Sequence, residues 1–260
     1  MITFGNAQTQ GARQSQEDYF AIFPANGSQC AVVADGMGGH VAGAVASELA
    51  VKSFREFLLR HAEEFTADIP ALLERALEHA NHAIADWVAE NQAYEGMGTT
   101  LVAACIGDRQ MFHISVGDSP FYRLRSGSLT RINQNHAFAE TLQEAVLEGE
   151  ISAAEAASHP DRSVITSALC GEAVREIDVP GEGETLQPGD SFLLASDGIH
   201  TLSDDEIGQI MSAAPNAQRA ADRLIAAVEA SGLPHQDNTT VVIMHVLEER
   251  VTQPLRSRAD

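Results

Sequence analysis

A chain of 260 residues suffices for one large domain with a substantial core, and no Pro-, Gly- or Ser-rich linker or compositional shift marks a second boundary. The net charge of −21, from 37 acidic against 16 basic residues with no Lys/Arg-rich run, argues against a nucleic-acid surface that tracks phosphates. No signal-peptide pattern opens the chain and no apolar stretch approaches the length of a membrane span, so a cytoplasmic protein without a membrane partner is expected.

In chain order, Tyr19 to Phe23 and Cys30 to Val33 read as strands. The second runs into "ADGMGGH", Ala34 to His40. Its glycines either bring backbone N–H groups close to a phosphate or let Asp35 and a neighbouring carbonyl converge on a cation. The Lys and Ser/Thr of a P-loop and the G-x-G-x-x-G of a dinucleotide site are both absent, and a plain tight turn is the third reading. Val41 to Arg60 predicts a helix, with Val41, Val45, Leu49, Phe54, Phe57 and Leu58 near a 3.6 period, and Ala71 to Glu90 predicts its partner. His79 and His82 lie off that second helix's apolar stripe and read as a solvated face.

Thr99 to Ile106, Met111 to Val116 and Phe121 to Leu124 are strand candidates joined through turn dipeptides such as Gly107-Asp108 and Ser126-Gly127. Connections this short exclude helical crossovers, so pairing should be antiparallel. A polar insertion at about 135–162 reads as a surface flap, with a helix around Leu142, Val146 and Leu147 and a capping box at Ser152 to Glu155. Strands at Ser163 to Ala168 and Ser191 to Ala195 follow, then a helix opened by the capping box Ser203 to Glu206 and its partner Ala217 to Glu229. The strand Thr239 to Val246 closes a single domain over 1–248, and the polar tail 249–260 is expected to fray. Cys30, Cys105 and Cys170 lack C-x-x-C spacing and are expected to be reduced, buried and without function.

Asp35, Asp118 and Asp197 each follow a strand, whereas Glu17 and Asp18 precede Tyr19 to Phe23 and Asp237 precedes the last strand. Antiparallel pairing sets one strand's end beside its neighbour's start, so all six acids can share one edge of the sheets. Any one of them alone is an ordinary turn residue. Gathered without a cation they would repel one another and take up protons. An all-oxygen donor set suits Mg²⁺ or Mn²⁺, and one carboxylate, Asp35 beside the Gly36 carbonyl, can bridge two ions.

The segments Gly11 to Asp18, "DGMGGH", "GTT" at Gly98 to Thr100, "GDS" at Gly117 to Ser119, "HPDRSVITSAL" at His159 to Leu169, "SDG" at Ser196 to Gly198 and "DNTT" at Asp237 to Thr240 stand in this order. Together they resemble the PPM family of metal-dependent protein serine/threonine phosphatases, the protein phosphatase 2C type, in its bacterial form, over about residues 5–247. The resemblance implies an α+β fold, a four-layer αββα sandwich of two antiparallel sheets flanked by helix pairs. It also implies hydrolysis of phosphoserine and phosphothreonine in proteins by a water bridging two Mn²⁺ or Mg²⁺ ions, in opposition to a serine/threonine kinase, by a monomer.

By matching motif positions, Asp35, Asp197 and Asp237 would hold one ion, and Asp35 with the Gly36 carbonyl the other. Glu17 and Asp18 would act on the second ion or its waters, Asp118 and Asp197 on a weaker third ion, and Arg13 on the substrate phosphate. Pro120 stands where the family usually carries arginine, Gln16 replaces a common asparagine, and no serine follows His136. His136, at the start of the flap, reads either as a contact to the site or as a solvated side chain. His40 and Met37 receive no role. A phosphoprotein-binding module without catalysis, for which Pro120 is the best support, and a small-molecule phosphoesterase are the alternative readings.

Overall fold

The central strands are apolar at nearly every position, so each must be covered on both faces, and alternate residues enter different cores. In the computed structural model, which describes residues 1–39, 41–66 and 68–247, this happens through four layers. His40 and the tail 249–260, both named above, lie outside the described residues.

The strands are β1 (Ile2–Thr9), β2 (Asp18–Ala25), β3 (Ser28–Met37), β4 (Gly98–Thr99), β5 (Leu101–Gly107), β6 (Gln110–Val116), β7 (Phe121–Arg125), β8 (Ser128–Arg131), β9 (Glu184–Thr185), β10 (Ser191–Ala195) and β11 (Thr239–Val246). One sheet runs β1-β11-β10-β7-β8 and the other β2-β3-β5-β6-β9, with β4 against β3, and every pairing in them is antiparallel. Helices α1 (Val41–Arg60) and α2 (Ile69–Glu90) cover the second sheet. The helices α5 (Asp204–Ala213) and α6 (Ala217–Ala230) cover the first, and α3 (Phe138–Leu147) and α4 (Ala153–Ala157) belong to the flap.

The period of two sorts the side chains. Val32 and Ala34 of β3 join Phe54, Leu58, Leu73 and Leu77 in the core beneath α1 and α2. Their neighbours Ala31 and Val33 meet Phe192, Leu194, Val242 and Met244 between the sheets, while Leu193, Val241 and Ile243 turn outward onto α5 and α6. Three two-residue hairpin loops fix the register: Asn26-Gly27, Asp108-Arg109 and Ser126-Gly127 all have both residues at positive φ, the backbone whose twist suits adjoining strands.

Three readings are corrected, and one strand escapes the sequence pattern. Ser163 to Ala168 forms no strand; Ile165 makes one bridge to Ala137 and, just past the segment, Leu169 one to Thr99. Ser167 Oγ instead bonds both the N–H and the carbonyl of Glu176, offering the backbone there an alternative to a ladder. The edge strand β1 shows little apolar alternation in sequence and is held by pairing β11 along its whole length. Helix α2 begins before Ala71, because Asp68 caps the Ala71 N–H and Pro70 fits the first turn. Cys30 and Cys105 stand opposite each other on β3 and β5 and form a disulfide, and Cys170 is exposed. Cross-strand register brought the first two together, which their separation of 75 residues does not disclose. Among the described residues no helix is long and apolar enough to cross a membrane.

Candidate metal centre

The acids meet at one end of the sandwich. Asp18 and Asp35 are direct partners on β2 and β3. From the other sheet, Ser196 Oγ and Thr240 Oγ1 each donate to Asp18 Oδ2 at 2.7 Å, which ties β10 and β11 to β2 across the interior. Asp197 opens a 3₁₀ helix, Asp197–Thr201, just past β10, and Asp237 lies two residues before β11. Asp118 follows β6 by two residues.

Asp35, Asp18 and Glu17 are also held through their main chains. The Asp35 N–H donates to Thr100 Oγ1 at 3.0 Å, and its carbonyl accepts from Thr99 Oγ1 and the Thr100 N–H, both at 2.9 Å. Gln16 reaches forward to accept the Asp18 N–H at 3.0 Å. Asn238 accepts the Glu17 N–H at 2.8 Å and donates to the carbonyls of Gln10 and Ser15, which shapes the loop carrying Arg13 and Glu17. Arg13, more than half exposed, is paired with Asp237. Glu17 is half-buried and accepts from Ser15 Oγ at 3.1 Å.

Gly36 lies where β3 passes under α1. A Cβ at Gly36 would fall on the Gly43 carbonyl, and one at Gly43 on the Glu17 carboxylate. Backbone cannot give way as a side-chain tip can, so Gly36→Ala is expected to destabilise the protein by about 1–3 kcal/mol or more and lower the Tm in chelator by roughly 5 °C. Thermal unfolding without metal is the check; an unchanged Tm would contradict the close approach.

Burial pushes the Asp35 carboxyl well above the usual carboxylate range, and the charges of Asp18, Asp197, Asp118 and Asp237 add to it. Burial raises Asp197 to about 7, with Asp118, Asp237 and Asp18 adding repulsion. It also raises Asp18 to about 6 against the donors Ser196 and Thr240, which pull it down. Asp118 is raised by burial too.

Among the described residues no group of three or more His, Cys, Asp or Glu side chains is drawn together tightly enough to enclose an ion. The donor set nevertheless fits a hard divalent cation. Asp18 Oδ1 and Asp197 Oδ1 are buried with no hydrogen-bond partner, the acids repel one another, and every donor is oxygen.

Sequence reasoning passed over Ser196, Thr240, Thr100 and Asn238, although each lies within or beside a motif carrying one of the acids. It also missed Arg131 of β8, whose Nη2 donates to the Asp118 carbonyl at 2.9 Å and whose Nε donates to Asn133 Oδ1. The loop ending at Pro120 is therefore supported by an arginine from another strand. Of the two readings of His136, the solvated one fails: the residue is 3% exposed, its main-chain N–H donates to the Gly117 carbonyl at 3.0 Å, and its Nδ1 accepts the Gly117 N–H at 3.1 Å. It clamps the root of the flap to the residue before Asp118.

Residues 7–238 match the family model described as "Protein phosphatase 2C". A serine/threonine protein phosphatase PstP of Mycobacterium tuberculosis is 38% identical over 236 residues, covering 90% of this chain and 44% of its own length, so the chain spans about half of that relative. A serine/threonine phosphatase of Listeria welshimeri is 32% identical over 89% of this chain and 90% of its own. The crystal structure of the catalytic domain of PstP, in complex with two manganese ions, superposes with a TM-score of 0.77 at 33% identity, covering 95% of this chain and 99% of that one.

Proposed function

Because the chain belongs to the protein phosphatase 2C family, we propose that it is a metal-dependent protein serine/threonine phosphatase. The observation that carries the reading is the gathering of Asp18, Asp35, Asp118, Asp197 and Asp237 at one sheet edge, in an all-oxygen setting with orphaned buried carboxylate atoms.

In this reading Asp35, Asp197 and Asp237 would hold one ion, Asp35 with the Gly36 carbonyl a second, and Asp118 with Asp197 a weaker third. Mn²⁺ or Mg²⁺ bound there would offset the carboxylate charge and lower the pKa of a water toward neutrality. Glu17 and Asp18 would orient water beside the ions: Asp18 Oδ2 is held by two hydroxyls, and Oδ1 is left without a protein donor. Arg13 sits on an exposed loop, and on leaving Asp237 it presents a planar fork to the phosphoryl oxygens.

The nearest hydroxyls, those of Ser196, Thr240, Thr100 and Ser119, are buried and committed to hydrogen bonds. Among the described residues these four hydroxyls are closed off and Ser15 Oγ is bonded to Glu17, so in this reading water is the attacking group. The substrates are phosphoproteins made by an opposing serine/threonine kinase, and the enzyme acts as a cytoplasmic monomer.

Phosphate release from a phosphothreonine peptide should be strong with Mn²⁺, present with Mg²⁺, and at least about a hundredfold lower in chelator, given the several kcal/mol such ions supply. A metal-loaded protein that releases no phosphate from phosphoserine or phosphothreonine peptides would sink the reading.

A further inference from the structure

The segment carrying Asp118 crosses between the sheets, leaving β6 at Val116 and entering β7 at Phe121. A crossing loop has no ladder of its own, so its main-chain carbonyls need partners from elsewhere. Here four consecutive carbonyls each take a donor from outside the loop. Gly117 accepts from the His136 N–H at 3.0 Å, Asp118 from Arg131 Nη2 at 2.9 Å, Ser119 from Asn133 Nδ2 at 3.0 Å, and Pro120 from the Ala195 N–H at 3.1 Å.

Arg131 and Asn133 act as one unit. The Phe121 N–H and Arg131 Nε can only donate, so the Asn133 atom that meets both, at 2.8 and 3.1 Å, is Oδ1. The amide nitrogen then faces Ser115 Oγ at 3.1 Å and the Ser119 carbonyl. Asn133 is buried, and its side chain joins β6, the crossing loop, β7 and β8. Its bond to Arg131 Nε orients the planar guanidinium, which aims Nη2 at the Asp118 carbonyl.

The same loop is aligned with the neighbouring acid. Thr100 Oγ1 accepts the Asp35 N–H and lies 2.7 Å from Ser119 Oγ, so contacts run from Asp35 through Thr100, Ser119, Asn133 and Arg131 to Asp118. All of the loop's grip on Asp118 is on the main chain; among the described residues no other side chain hydrogen-bonds its carboxylate. A ligand fixed in this way meets an ion without first having to be ordered.

We propose that Arg131 and Asn133 are positioning residues for the weakest ion of the centre, holding the Asp118 loop so that its carboxylate faces Asp197 and thereby setting that ion's affinity. The proposal rests on the phosphatase reading above and adds to it two residues that lie outside every motif carrying an acid.

The test reads Mn²⁺ binding to the full chain without substrate, from the electron paramagnetic resonance of the free ion. It compares the wild type with Arg131→Lys, Arg131→Met, Asn133→Ala and, as the reference without the ligand, Asp118→Asn. The weakest step should be about tenfold weaker in both Arg131 variants, the usual effect of losing a group that orients a metal ligand. The tighter steps should keep their affinities. Lysine keeps the charge but has no planar fork to span Asn133 and the Asp118 carbonyl. Charge alone would act with the opposite sign, since removing a cation in Arg131→Met would tighten the step and Arg131→Lys would match the wild type. Asn133→Ala should weaken the same step and also lower the Tm in chelator, because the buried Phe121 N–H loses its acceptor.

A weakest step that is unchanged or tighter in Arg131→Met, or wild-type binding by Arg131→Lys, overturns the proposal. Equal weakening of every step in the Arg131 variants, with a lower Tm in chelator, also overturns it, because a merely structural role does that. An unchanged weakest step in Asn133→Ala removes Asn133 from it. A wild type with no step that Asp118→Asn abolishes overturns it and leaves a two-ion phosphatase standing. The expected binding series without phosphate release from a phosphothreonine peptide removes the phosphatase reading and leaves the positioning role.

Discussion

Asp35→Asn is expected to lower kcat/KM on a phosphothreonine peptide by about a thousandfold or more and to raise the Tm of the chelated protein. Asp35 is the acid on which the charges of Asp18, Asp197, Asp118 and Asp237 converge. Asparagine keeps its shape, and the bonds from Thr99 and Thr100 that hold the position all go to the main chain, so the fold has no reason to change. Without metal the substitution removes a buried carboxyl that must either carry charge among the other acids or take up a proton, and it stabilises. With metal it removes an anionic ligand, and losing several kcal/mol of charge stabilisation corresponds to about three decades in rate. Calorimetric titration with Mn²⁺, phosphate release and thermal unfolding in chelator read the three consequences separately. Wild-type Mn²⁺ affinity in the variant, or a lower Tm in chelator, would show that Asp35 is not the centre of this cluster.

The metal-free protein is expected to lose stability, relative to its own Asp→Asn variants, as pH rises from about 4 to about 7. An unfolded aspartate titrates near 3.9, whereas burial and repulsion lift Asp18 to about 6 and Asp197 to about 7 in the fold. Between those limits the folded state binds more protons than the unfolded one, and stability therefore falls as protons are withdrawn. Below the window both states are protonated, and once the pH has passed the folded-state values of Asp18 and Asp197 their contribution is lost, on the order of a few kcal/mol for the two.

Burial lowers the pKa of His136, His200 and His245, which acts in the opposite sense, so the informative quantity is a difference between proteins sharing those histidines. The Tm advantage of Asp197→Asn over the wild type in chelator should widen from pH 4.5 to pH 7.5. Mn²⁺ should raise the wild-type Tm more at 7.5 than at 4.5, because binding must displace the protons. A gap that stays constant across this range would remove the carboxylates from the pH response.

Much of the molecule was readable before any coordinates. The helix Val41–Arg60 and the strands Ser191–Ala195 and Thr239–Val246 follow directly from apolar periodicity, and both capping boxes form where Ser and Glu stand three residues apart. The acids were legible as a group because antiparallel pairing alone makes strand ends and strand starts neighbours. Ser163 to Ala168 misled because β-branched composition is indifferent to whether a ladder partner exists, and here Ser167 binds Glu176 instead. Strand β1 was hidden because Gly5, Asn6 and Gln8 break its alternation, while β11 supplies the pairing.

Local order in the chain determined which residue types stand at which strand ends, and hence the family and an all-oxygen site for hard cations. Periodicity and motif spacing are short-range properties, and a sequence carries them in full. What only the tertiary structure decided are meetings between distant segments. Ser196 and Thr240 converge on Asp18, Arg131 reaches the Asp118 carbonyl in a loop where Pro120 offers no donor side chain, and Cys30 faces Cys105. His136 is turned inward onto Gly117, so the flap is rooted in the site instead of hanging from it. Such contacts depend on register and on layers stacking face to face, and no spacing along the chain encodes them.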